Sequence, residues 1–245
     1  MYSYQNLLAD LDEIRLLPGV EIFSIGKSVM GKEIPCIQIG SGGVRIQVNA
    51  AHHAIESITS ALAVNFCKKL TAQENVWYGY NTKEILAHAA YSVIPMVNPD
   101  GVELAAEEIP RESIWYKRLQ NDMGSIDFSQ VWSANINGVD LNHNYDAGFR
   151  EQKGVLKEKG ILFPGPTRYP GEAAFDQPET CALGEFTAKG GFDLLICLHA
   201  QGREIYYDYN GMVPPGGEAL SQRFAEVSGY RPVSYTHLDV YKRQG

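Results

Sequence analysis

The chain has 245 residues, 44% hydrophobic and 20% charged, which is enough apolar material for one large core and predicts a single domain. Its formal charge is −8, from 21 basic and 29 acidic residues, and the basic side chains form no dense run. This argues against a nucleic-acid or anionic-membrane partner and leaves small-molecule or peptide chemistry.

Tyr4, Leu7, Leu8, Leu11 and Ile14 recur at helical spacing before Pro18 and Gly19, so the chain is predicted to open with an amphipathic helix. Two strand patterns, VEIFSIGKSV and IPCIQIG, then flank the turn-like MGKE, and GVRIQVNA alternates Val44, Ile46 and Val48 against polar residues. That strand runs into NAAHHAIESIT. Beyond it, SITSALAVNFCKKL reads as a helix with Ile58, Leu62, Phe66 and Leu70 a turn apart. The short helical NTKEILAHA leads to a strand and turn in YSVIPMVNPDG, where Asn-Pro and Asp-Gly are strong turn formers. Residues 154–177, rich in Gly and Pro, read as a long surface loop. Asp176 and Glu179 are placed to form a capping box for a helix over 178–189. FDLLICLHA, nearly all apolar, reads as a central strand, and REIYYDY as a further one. Strands interleaved with helices predict an α/β domain with a mixed sheet between helical layers.

Cys36, Cys67, Cys181 and Cys197 lie far apart in apolar surroundings without CxxC spacing and are expected to be buried reduced thiols. No apolar run reaches membrane-spanning length, and MYSYQNLLADLDEI lacks the basic start and apolar middle of a signal peptide. A cytoplasmic location is the expectation, with a lost N-terminal segment left open. The last stretch, VSYTHLDVYKRQ, follows neither helical nor strand period. One coding sequence for it is an inverted repeat resembling two transposase recognition ends joined head to head. Residues 233–245 are therefore read as a non-native tail, His237 and Asp239 are set aside, and 1–232 is read as the domain, with its natural end beyond.

The chemistry concentrates at strand ends. In open α/β sheets the carboxyl ends of neighbouring strands gather round one crevice, so His53, Glu56 and His199 could converge despite their distance in sequence. Two nitrogens and a carboxylate suit zinc and leave a fourth position for water, whereas magnesium or calcium would take more oxygens. Spacing alone favours a solvated pair or a charge at a helix N-terminus over a metal site. HAIE at 53–56, NPDG at 98–101, GVDLNHNYD at 138–146 and LHAQG at 198–202 occur in an order that resembles the zinc carboxypeptidases of the M14 type. The closest resemblance is to their bacterial branch, the γ-D-glutamyl-L-diamino acid endopeptidases that cut peptidoglycan stem peptides, and it covers roughly residues 4–232. It implies a three-layer α/β/α fold lacking its last strand and helix, with one zinc ion held by His53, Glu56 and His199. It also implies a peptide or stem-peptide substrate; oligomeric state stays open. His53 is the ligand because it keeps the spacing to Glu56; His52 is expected to point the other way into a supporting position. His88, on a helix pattern, is expected to be a surface or packing residue.

Within the resemblance, Asn142, His143 and Ser133 fall at substrate-facing positions. His143 stands where the family has an arginine that grips a substrate carboxylate, and an imidazole cannot make that two-pronged contact. This favours an endopeptidase-like or γ-glutamyl substrate. Ser133 stands where the family often has a basic residue that stabilises the oxyanion, so transition-state stabilisation is expected to be weaker. The family's general-base glutamate lies well downstream of the third ligand. Glu204, Glu218 and Glu226 are the glutamates between His199 and the tail, and none matches that motif, so the base is expected beyond Pro232 and hydrolysis by this chain to be weak. The alternatives are a zinc-dependent amide deacylase and a non-catalytic cell-wall peptide-binding module.

Overall fold

Ser3 opens the first helix, α1 (Tyr4–Ile14): its hydroxyl accepts from the Asn6 amide, and the Asn6 side chain accepts from the Ser3 amide. The computed structural model describes residues 1–72 and 75–234, which divide into two compact units, the first ending at His199 and the second beginning at Ala200. The first unit continues with β1 (Val20–Lys27), β2 (Glu33–Ile39), β3 (Val44–Asn49), a 3-10 turn at Ala54–Glu56, and α2 (Ile58–Leu70). A small hairpin, β4 (Val76–Trp77) and β5 (Tyr80–Asn81), precedes α3 (Thr82–His88) and β6 (Ala89–Ile94). Helices α4 (Pro99–Ala105), α5 (Ile114–Met123) and α6 (Phe128–Val131) follow, then a 3-10 turn at Leu141–His143. The unit closes with α7 (Phe149–Glu158), α8 (Pro178–Gly190) and β7 (Leu194–Cys197). In the second unit, β8 (Glu204–Tyr206) pairs in parallel with β9 (Arg231–Val233) around α9 (Gly217–Ser228), and the Ser234 hydroxyl donates to Asp208. Residues 235–245, most of the stretch read as a non-native tail, lie outside the described residues.

The main sheet has five strands in the order β1-β2-β6-β3-β7. β1, β2 and β6 pair antiparallel, while β3 runs parallel to both β6 and β7, so the sheet is mixed as expected. Period-two alternation sends Ile37 and Ile39 of β2 to a core with Leu7, Leu11, Ala63, Val64 and Cys67, beneath α1 and α2. Ile34 and Cys36 face the other way, into a core with Ile94 and Leu183 of α8. Gly26 admits α8, since a Cβ there would stand 2.5 Å from the Ala182 Cβ. These are the three layers of the α/β/α sandwich.

Several expectations change in detail. α2 turns Thr59, Ser60, Ala63, Val64, Cys67 and Leu70 inward, leaving Ile58 and Leu62 exposed. Small side chains let the helix sit close on the sheet, and the Thr59 hydroxyl accepts from the Ala51 amide, which fixes that rotation. β7 is the end strand of the described sheet, half-buried and exposed in alternation, not a strand covered on both faces. Its apolar run specifies a strand but not its neighbours. α7 occupies part of the stretch read as a loop. The capping box at Asp176 and Glu179 does not form: Asp176 accepts from the Glu172 and Ala173 amides, and Glu179 is buried and accepts from Val29 and Asn135. All four cysteines are free, but only Cys36 and Cys67 are buried. No helix among the described residues is long and apolar enough to cross a membrane.

Candidate metal centre

The site grows from the carboxyl ends of two parallel neighbours. β3 and β7 pair Asn49 with Cys197, and the Leu198 amide donates to the Asn49 carbonyl, so both chains leave the sheet together. His199 lies two residues past β7, and His53 lies four past β3 at the start of the 3-10 turn that carries Glu56. That turn is clamped from behind. The Ala54 and Ile55 amides donate to the carbonyls of Ser133 and Trp132, and the Asn98 side-chain amide donates to the carbonyls of His52 and Ala134. NPDG is thus structural: Asn98 also accepts from the Gly101 amide, and buried Asp100 pairs with Lys32 at 2.9 Å.

The three side chains singled out in the sequence converge. Glu56 Oε1 is 3.1 Å from His53 Nδ1, and Oε2 is 2.9 Å from His199 Nδ1. One donor atom from each of the three residues lies within 4.8 Å of the others, the one such His/Cys/Asp/Glu group among the described residues. Two imidazole nitrogens and a carboxylate facing one point are a donor set of the kind zinc takes, and they fit a single divalent ion. On its far side, His53 Nε2 lies 3.3 Å from Asp140 Oδ1. A carboxylate behind a ligating imidazole fixes the ring and raises its basicity. Asp140 is itself held, accepting from the Arg168 amide at 2.8 Å and capping the 3-10 turn at Leu141–His143 through the Asn142 amide.

The electrostatics follow from burial opposed by pairing. Burial alone would lower His53, but hydrogen bonds to Asp140 and Glu56 reverse this and push it up to about 10. Glu56, which burial would raise, is drawn down to about 2 by His199 and His53. Asp140 is likewise held far below the usual carboxylate range against its burial, by the nearby His143 and its hydrogen bond to His53. His52, buried beside the two other imidazoles, is pressed down to about 3 and stays neutral.

The remaining sequence candidates are not gathered with the three donors. Asn142 is exposed, its amide donating to Asp140. His143 turns inward, because the Gln152 amide donates to its Nδ1 at 2.6 Å and its Nε2 lies 3.9 Å from Asp140 Oδ2. Ser133 acts through its backbone, donating to the Pro166 carbonyl and accepting from Ala54. His52 packs beneath the site against Tyr145, and His88 is exposed at the end of α3. Asp140, Gln152 and Tyr145 carry no spacing signal of their own; the one local hint is that an aspartate before a short helical turn is a good cap.

Over residues 8–238 the chain matches the zinc carboxypeptidase family, peptidase M14. It is 34% identical over 238 residues to γ-D-glutamyl-L-diamino acid endopeptidase 1 of Lysinibacillus sphaericus, covering 95% of this chain and 59% of that protein. The chain therefore spans a little under two thirds of that relative's length. Its fold is similar to a metallo-carboxypeptidase from Burkholderia cenocepacia, with a TM-score of 0.60 and 16% identity over 96% of this chain and 54% of that one. It is also similar to a murein-tripeptide amidase from Escherichia coli O157, with a TM-score of 0.53 and 19% identity over 89% of this chain and 74% of that one. With this match over nearly its whole length and a three-residue donor set at the carboxyl ends of its parallel strands, the chain belongs to the zinc carboxypeptidase family, peptidase M14.

Proposed function

We propose that this chain binds one zinc ion through His53, Glu56 and His199, and that its protein hydrolyses an amide bond in peptidoglycan-type stem peptides at a γ-D-glutamyl–diamino acid linkage. The observation that carries the reading is the convergence of the three donor atoms. When bound, zinc supplies a water acidified to a pKa of about 7 and polarises the scissile carbonyl. The residues of the chain do the rest. Glu56 spans the two imidazoles with its two oxygens, Asp140 holds the His53 ring from behind, and Asn142 stands exposed to meet substrate.

The substrate class is supported by the endopeptidase relative and by His143. With Nδ1 accepting from Gln152 and Nε2 directed at Asp140, this imidazole offers no paired donors to a terminal carboxylate. A substrate cut within the stem, whose residue after the scissile bond continues into further peptide and so carries no terminal carboxylate, suits such a site. Turnover by the chain as it stands is expected to be slow. Glu204 is engaged by Tyr206 and Arg231, and Glu218 and Glu226 are exposed on α9, so the proton-transfer role is assigned to none of them. Ser133 brings no cation to the oxyanion. The same two residues, His143 and Ser133, favour the second reading, a wall-peptide-binding module without catalysis.

Mass spectrometry of zinc-loaded protein incubated with a γ-D-glutamyl-diaminopimelate peptide extended by D-alanine and with α-linked peptides whose last residue bears the free carboxylate tests the proposal. Slow cleavage of the γ-linked peptide alone is expected. Preferential cleavage of the α-linked peptides would refute the substrate class, and saturable binding with no cleavage of either would favour the binding module.

A further inference from the structure

His52 and Tyr145 lie outside the donor set yet are wired to it. His52 is 3% exposed, its Nε2 stands 2.9 Å from the Tyr145 hydroxyl, and its Nδ1 is buried with no hydrogen-bond partner among the described residues. A buried polar atom left unpaired costs about 1–3 kcal/mol, which an apolar side chain here would avoid. The backbone does not need the imidazole, because the Asn98 side chain already holds the His52 carbonyl at 3.0 Å. What the ring does touch is informative. Its centroid lies 6.2 Å from that of His199, with the planes 31° apart, and on its other contact it meets the Tyr145 ring at 6.0 Å. Tyr145 is braced in turn by Phe175, edge-on at 5.7 Å. It follows Asn144, whose side chain donates to Pro170, Ala173 and Asp176. One segment, 140–145, therefore reaches both adjacent histidines, Asp140 to His53 and Tyr145 to His52.

We propose that His52, held by the Tyr145 hydroxyl, is a positioning residue for the metal pair, its ring forming the wall that sets the angle at which His199 presents Nδ1 to Glu56. This rests on the zinc-binding reading above. The physical reason is that a ligating imidazole with a soft orientation pays in affinity, since each binding event must also fix the ring. Removing the Tyr145 hydroxyl frees the His52 ring, and with it the His199 ring, without emptying the core.

The test uses the whole chain, with zinc affinity measured by competition against a chromophoric chelator, the visible spectrum of the cobalt-loaded protein, and melting of the metal-free protein. Tyr145→Phe is expected to weaken zinc binding about tenfold and to shift the cobalt bands, with metal-free melting within about 2 °C of the unaltered chain. His52→Leu is expected to weaken binding to a similar degree while melting no lower, an outcome that a merely structural histidine would not give. His52→Gln, which can keep an amide nitrogen near the Nε2 position, is expected to bind within about threefold of the unaltered chain. If either of the first two variants fails to fold, the other carries the test. Binding by Tyr145→Phe or His52→Leu within about twofold of the unaltered chain, while His199→Ala loses zinc, overturns this inference alone. An unaltered chain that holds no zinc overturns the proposed function and this inference together.

Discussion

Asp140 shows how a single buried carboxylate can serve the site without joining the donor set. It is 1% exposed, receives the Arg168 and Asn142 amides, and spends its remaining capacity on His53 and His143. Asp140→Asn keeps an acceptor but loses the charge that raises His53 basicity, so zinc affinity is expected to fall about tenfold or more, readable by chelator competition. Glu179 is the opposite case, a carboxylate that burial pushes up to about 7 against the amides of Val29 and Asn135. Because its folded value lies above its unfolded one, the native state binds the proton more readily. Its stabilising contribution is full below the unfolded value of 4.5 and is lost as pH rises through about 7. The loss is of order 3 kcal/mol. Melting followed from about pH 5 to 8 should therefore show a decline that Glu179→Gln flattens; an unchanged slope in that variant would place the decline elsewhere.

At the scale of elements, the site depends on a clamp built from turns. Asn98 joins the ligand loop, the Ala134 segment and the first turn of α4 through three buried hydrogen bonds. Gly101 sits so close that a Cβ would stand 2.4 Å from the Ala134 carbonyl. Asn98→Ala leaves two carbonyls and an amide unpaired and is expected to destabilise by about 3 kcal/mol or more, lowering the melting temperature by about 10 °C. A shift below about 2 °C would show that water replaces the lost bonds. The same elements mark how far sequence reading reaches. NPDG reads as a turn from Asn-Pro and Asp-Gly, whereas Asn98 caps α4 and Pro99 to Gly101 form its first turn, Pro at the first helical position being equally a helix start. The face of α2 is not legible, since the contact that rotates it, Thr59 to Ala51, is a tertiary one. β7 reads as a strand from its apolar run, but its position at the end of the described sheet depends on which strands pair with it.

For the molecule as a whole, the mixed sheet and its helical layers follow from alternation and helical spacing, and parallel strands bring distant residues to one edge. Strand ends make a convergence of His53, Glu56 and His199 conceivable, but their choice as a donor set comes from the family resemblance, because spacing alone favours a solvated pair. Asp140, Gln152 and Tyr145 are not legible, because their partners lie on other segments and only the fold brings them near. Metal binding is the property on which the reading turns. Atomic absorption on protein loaded with zinc and dialysed should find about one zinc per chain, and His199→Ala should hold far less, because it removes one of the three donors. Protein that emerges metal-free, or a His199→Ala variant that retains zinc equally well, would contradict the assignment.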